Sequence, residues 1–139
     1  MHSLSEKIAL PQSLDSATRA LILDIVQTLP ERHPDLLAIL LYGSVARGEE
    51  RSLEDPDPSD VDLLTIFDTD DELVTVHQGY AISTSLVMAY GRHLDAPRQI
   101  QVMIASRTLG EWDATFVANV ARDGIPLLVR GKLPSQLVR

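Results

Sequence analysis

The feature that most limits how this chain folds is a pair of short, unbroken apolar runs. They are DLLAILLYG at Asp35–Gly43 and VDLLTIF at Val61–Phe67, with a polar, proline-broken segment between them. Each is too short for a typical helix, and each ends in turn formers, Gly43-Ser44 in the first case and DTDD in the second. A run that is apolar at successive positions has no polar face to offer to water, so both predict buried strands.

Helical spacing flanks these runs. Ala17, Leu21, Ile25 and Leu29 recur at i, i+4, i+8 and i+12, and Ala20, Ile22 and Val26 widen the stripe. Asp15 or Ser16 is placed to cap this helix, and Pro30 is expected to stop it. Leu73, Val76, Tyr80, Val87 and Tyr90 predict a second helix, although Gly79 and β-branched residues weaken its propensity. RQIQVMIA, Arg98–Ala105, alternates polar and apolar after Pro97 and predicts a third strand. Trp112, Phe116 and Val120, with Val117 alongside, predict a last helix closed at Gly124, and IPLLV is a final short strand or a tail. The order helix, strand, strand, helix, strand, helix defines an α+β (mixed α/β) chain. A single domain over 1–139 is expected, with residues 1–13 as a loosely held lead-in because Pro11 and scattered polar residues give no period.

Composition removes several function classes. The chain has no cysteine, so thiolate metal sites and disulfides are excluded. No apolar run approaches the ~20 residues that cross a bilayer, and MHSLSEKIAL lacks the basic-then-apolar layout of a leader, so a cytoplasmic protein is expected. The net charge of −8 opposes broad binding to a nucleic-acid backbone. A nucleotide is a different case, because a divalent cation can stand between its phosphates and protein carboxylates.

The segment from Leu41 to Phe67 carries the chemistry. Gly43-Ser44 after a strand, followed by VARG, has the form of a strand-to-helix turn whose backbone N–H groups suit an anion. Gly43 permits close approach of a phosphate, Ser44 adds a hydroxyl and Arg47 adds charge. Asp60 and Asp62 stand at i and i+2 where the next strand begins, so both project from one face. Two such carboxylates suit Mg²⁺, which takes one or two carboxylates together with substrate phosphates. Turn donors and a carboxylate pair on adjacent strand ends describe metal-assisted phosphoryl or nucleotidyl transfer.

The motifs GSVARG at Gly43–Gly48 and SDVDLL at Ser59–Leu64 resemble the signature of the minimal nucleotidyltransferases, within the DNA polymerase beta-like superfamily. FVANVARDGIPLL is similar to the closing helix and Gly-x-x-Leu segment of these small domains, and the resemblance implies the polymerase beta-like nucleotidyltransferase fold, a small mixed sheet flanked by helices. The resemblance implies that Gly43 and Ser44 hold the triphosphate of ATP or another nucleoside triphosphate, and that Asp60 and Asp62 bind Mg²⁺. It implies attack of an acceptor hydroxyl on the α-phosphorus, with release of pyrophosphate. It further implies a protein or small-molecule acceptor, AMP as the transferred group, and service as antitoxin to a HEPN-type toxin. An aminoglycoside-modifying role would need a further substrate domain or an oligomer.

Two departures stand out. Residues 45–59 between Ser44 and Asp60 are longer than the family's usual spacing, the added EERSLEDPDP reading as a solvated loop. A sharper reading makes Glu49, Glu50, Glu54, Asp55 or Asp57 a guard against polyanionic acceptors. Active members carry a third carboxylate on a later strand, and here Gln101 holds that position. An amide is a poorer Mg²⁺ ligand and no general base, so the alternative is a catalytically impaired nucleotide-binding or partner-binding protein. Asp95, Glu111 or Asp113 is a conceivable substitute. His33, His77 and His93 have no second ligand at metal spacing and are expected at the surface or at helix ends. Arg92, Arg98 and Arg107 are expected to form ion pairs with this acidic chain. Trp112, Phe116, Tyr80, Val87, Met88 and Tyr90 are expected in the core or against a partner.

Overall fold

The structure, a computed structural model, describes residues 8–90, 97–109 and 112–137. Its elements are α1 (Ser16–Arg32), β1 (Leu36–Tyr42), α2 (Gly43–Arg47), β2 (Val61–Phe67), α3 (Glu72–Tyr90), β3 (Ile100–Ala105), α4 (Ala114–Asp123) and β4 (Ile125–Val129), with a closing 3₁₀ turn at Ser135–Leu137. The strands form one sheet in the order β3-β2-β1-β4. β1 is antiparallel to both β2 and β4, whereas β2 and β3 run parallel.

The two apolar runs are the central strands, and alternation divides their side chains between two faces. Ile39, Leu41, Val61, Leu63 and Phe67 pack with the apolar stripe of α1 and with Ile82 and Leu86 of α3. Leu40, Leu64, Ile66 and Ala105 pack on the other face with Val117 and Val120 of α4 and with Leu137. Tyr42, Trp112 and Phe116 fringe this second cluster as an aromatic row: Trp112 stacks on Phe116 at 5.3 Å between centroids, and Phe116 meets Tyr42 edge-on at 5.3 Å. Among the described residues, no helix is long and apolar enough to cross a membrane.

Three expectations change. Asp15 caps α1 by accepting from the Thr18 amide, but Pro30 does not end the helix, which runs on to Arg32. A proline in the last turn forfeits one amide, and the His33 N–H closes the helix on the Leu29 carbonyl at 3.0 Å. Of the lead-in, residues 1–7 lie outside the described residues, whereas Ile8 and Leu10 are buried in the α1-side core. α3 also presents the unexpected face to the sheet. Thr75, Ile82 and Leu86 are buried, and Gly79 sits so close to Ile104 that an added Cβ would stand 2.7 Å from its Cδ1. Leu73, Val76, Tyr80 and Met88 therefore face outward, at 81%, 59%, 75% and 78% exposure. His33 lies at a helix end, one of the places expected for it, and is buried there: it caps the C-terminus of α1, edge-on to Phe67, and burial pushes its pKa down. His77 is exposed, while His93, Arg92 and Asp95 lie outside the described residues.

Candidate nucleotide and metal site

Sheet register builds the site. Asp62 is opposite Tyr42 on β1 and level with Gln101 on β3, so the three share the α4 side of the sheet. Asp60, two residues earlier, points to the same side. β1 ends at Tyr42, and the chain turns into α2 through Gly43 at φ +78°. Glycine is required there twice over. The left-handed backbone disfavours a side chain, and an added Cβ would run into the Asp62 carboxylate, with its Cγ at 3.2 Å. The turn is thus closed directly onto the carboxylate, and the first amides of α2 leave the sheet beside it. The Ser44 side chain is half-buried and has no hydrogen-bond partner among the described residues, while its carbonyl accepts from Glu49 N–H at 2.9 Å.

The charges set the protonation of the site. Burial first, and then the neighbouring Asp60, hold the Asp62 carboxyl above the usual carboxylate range, with Arg47 pulling the other way. Burial, with Asp62 adding to it, pushes the Tyr42 phenol up to about 12, so at neutral pH it is a proton donor and not a base. Arg47 is exposed and shares its charge with Glu49 at 3.2 Å. Raising the Asp62 pKa means that its contribution to stability is whole below the unfolded value of about 3.9 and is lost as pH rises through the folded value. Asp62→Asn is therefore expected to melt slightly above the native chain at pH 7 without metal, and to show no such gain near pH 3. Equal destabilisation at both pH values in thermal melts would contradict this assignment.

Gln101 stands where the sequence places it. Its Nε2 donates to Asp60 Oδ2 at 2.6 Å, and the reverse orientation would set two oxygens against each other. Of the other suggested carboxylates, Asp113 does not replace it. Asp113 caps α4 by accepting from Thr115 N–H at 2.9 Å, and Asp95 and Glu111 lie outside the described residues. Among the described residues, no group of three His, Asp or Glu is placed to hold a metal. The donors present fit a divalent cation all the same. Two carboxylates on one face, one of them with a pKa raised by burial and then by its like-charged neighbour, lower their repulsion when a cation sits between them. They supply only part of a Mg²⁺ shell, and phosphate oxygens are the natural remainder.

Of the three arginines expected to pair, the two that are described do so. Arg107 meets Asp68 at 2.9 Å and Asp70 at 3.2 Å, and Arg98 meets Asp15 at 3.1 Å. The loop between α2 and β2 is largely exposed, with Arg51 against Asp57, and Glu49 occupied by Arg47. Sequence reasoning passed over Tyr42 and Ser59. Tyr42 had a signal, since it immediately precedes the turn glycine. The role of Ser59, whose Oγ accepts from Arg51 N–H at 2.7 Å, needed the fold to bring both ends of the loop together.

No protein-family model and no curated protein matches the chain. Solved structures do match. A chain of a toxin-antitoxin structure with AMP-PNP superposes with a TM-score of 0.50 at 19% identity, over 78% of this chain and 73% of that one. A mutant of the toxin-antitoxin MntA-HpeT gives a TM-score of 0.50 at 17% identity, over 78% and 73%. The tri-AMPylated HEPN toxin of Shewanella oneidensis in complex with MNT antitoxin is matched with a TM-score of 0.47 at 17% identity, over 80% and 71%. The four-stranded mixed sheet flanked by helices is therefore the fold that this chain shares with the first two of these toxin-antitoxin structures.

Proposed function

We propose that this chain is a Mg²⁺-dependent nucleotidyltransferase of the minimal type, moving a nucleoside monophosphate, AMP from ATP, to a protein acceptor. The observation that carries this reading is the closure of the Gly43 turn onto Asp62 with Asp60 beside it. It sets the first amides of α2, which suit an anion, against a carboxylate pair. A structure of this fold with AMP-PNP supports the nucleotide. Gly43 and Ser44 would hold the outer phosphates, and Asp60 and Asp62 would hold the cation. Bound there, Mg²⁺ supplies charge neutralisation for the phosphates and for the departing pyrophosphate. The acceptor hydroxyl oxygen forms a bond to the α-phosphorus, the bond from that phosphorus to the β-phosphate oxygen breaks, and the hydroxyl proton passes to solvent. Tyr42, protonated at neutral pH, cannot take that proton, and neither can the Gln101 amide.

A protein acceptor suits the surface. The outward face of α3 exposes Leu73, Val76, Tyr80 and Met88, more large apolar side chain than a helix leaves to water without a partner. The charge of −8 disfavours a nucleic-acid acceptor. A HEPN-type toxin is the partner that the sequence resemblance and the fold together support, and the cytoplasm is the matching compartment.

Calorimetric titration of ATP tests the reading. The native protein is expected to bind ATP more tightly with Mg²⁺ than without it, and Asp60→Asn to lose that gain while keeping the metal-free affinity. A folded native protein that bound no ATP in either condition would end the proposal. One observation favours a second reading, an antitoxin that binds nucleotide or partner without transfer: the residue level with Asp62 on β3 is Gln101, whose amide holds Asp60 at 2.6 Å and offers no carboxylate.

A further inference from the structure

Arg98 is the most deeply buried charge described in this acidic chain, with 1% of its side chain exposed. Burying a guanidinium is costly unless its donors are all satisfied, and here three nitrogens make four bonds to three parts of the chain. Nε donates to Thr18 Oγ1 at 2.9 Å and Nη2 to Asp15 Oδ1 at 3.1 Å, both in the cap of α1. Nη1 donates to two carbonyls, that of Arg51 at 2.7 Å and that of Ser59 at 3.0 Å. These carbonyls are the two sides of the neck of the long loop, and Arg51 N–H to Ser59 Oγ at 2.7 Å closes the same neck.

Ser59 immediately precedes Asp60. On the other side of Asp60, Val61 N–H donates to the Gln99 carbonyl at 2.8 Å, and the Asp60 side chain takes the Gln101 amide. The residues entering β3 therefore grip Asp60 before, after and at its side chain. Only the first grip, that of Arg98, also isolates Asp60 from the loop. Residues 52–58 are mostly exposed, and without the neck their motion would pass straight into the backbone of a metal-ligating carboxylate. We propose that Arg98 is a positioning residue, which closes the neck of the loop between α2 and β2 and so holds the Asp60 carboxylate in its cation-binding orientation. The inference rests on the reading of Asp60 as a Mg²⁺ ligand.

The test compares native protein, Arg98→Met and Arg98→Lys by calorimetric titration of ATP with and without Mg²⁺, alongside thermal melts. The quantity read is the ratio of the two affinities, which a loss of stability alone does not change while the protein stays folded. In Arg98→Met the ratio is expected to fall about 10-fold, the lower end of what outer-shell partners of metal ligands typically contribute, with metal-free affinity unchanged. Arg98→Lys keeps a charge beside Asp15 but has one nitrogen in place of three, so a smaller fall is expected. It serves as the deciding variant should Arg98→Met fail to fold. An unchanged ratio in a folded Arg98 variant overturns the inference and leaves the metal reading intact. A native protein whose ATP affinity ignores Mg²⁺ overturns the metal reading, and this inference with it.

Discussion

Gly43→Ala is expected to lower the affinity for ATP with Mg²⁺ by at least 10-fold, roughly the effect of losing 1.4 kcal/mol, and to do so without touching either carboxylate. Two effects combine. A β-carbon at φ +78° meets the ordinary left-handed penalty, of order 1–2 kcal/mol. It also enters the space of the Asp62 carboxylate, so either the turn opens or Asp62 leaves the position in which Asp60 and the α2 amides converge. Gly48 provides the control. It ends α2 at φ +71°, but the nearest atom to an added Cβ is Pro11 Cβ at 3.5 Å, an ordinary contact. Gly48→Ala is thus expected to lose a similar amount of stability from backbone strain and to keep its nucleotide affinity. Calorimetry and thermal melts on both variants separate strain from site damage. Equal loss of binding in both would mean that the Gly43 turn matters only for folding.

That contrast shows what a sequence exposes and what it hides. The central strands were legible because consecutive apolar residues have nowhere to go but inside, and the Asp60/Asp62 pair was legible because i and i+2 at a strand start share a face. The position of Gln101 was legible too, since an alternating strand has a countable centre. What stayed hidden depends on which elements become neighbours. Nothing in the order of residues says that Tyr42 faces Asp62, which follows from antiparallel register. Nothing in the stripe Leu73, Val76, Tyr80 says that it points outward, because the opposite face of α3 is apolar enough to be buried, and Gly79 permits the closer approach. Arg98 read as one of three arginines that pair with the acidic chain. Its burial follows from four acceptors drawn from Asp15, Thr18, Arg51 and Ser59, which meet only in the folded chain. Ile8 and Leu10 were read as lead-in because a two-residue alternation around a proline has no period to detect, yet the core has room for both.

Gln101→Asp is the change expected to increase function. The amide satisfies Asp60 through a hydrogen bond from a neutral donor and offers no base. A carboxylate at this point of β3 would stand level with Asp62 and within reach of Asp60, giving three acidic ligands on one face. Without metal this arrangement loses the hydrogen bond and adds a third like charge, so the variant is expected to melt below the native chain, most clearly at neutral pH and low salt. With Mg²⁺ the order reverses, because the added ligand strengthens cation binding and can accept the proton of an attacking hydroxyl. General-base assistance of this kind typically contributes about 10²–10⁴-fold. Pyrophosphate release from ATP, with water or protein hydroxyls as acceptor, is the measurement, since it needs no knowledge of the natural acceptor. A native rate close to background, raised about 10²-fold or more by Gln101→Asp, would place the native chain in the second reading, a protein that keeps the nucleotide site and has given up transfer. A native rate well above background, left unchanged or lowered by the substitution, would show that transfer proceeds without a carboxylate on β3. The proton then has another destination, and the Gln101 hydrogen bond is part of a working site.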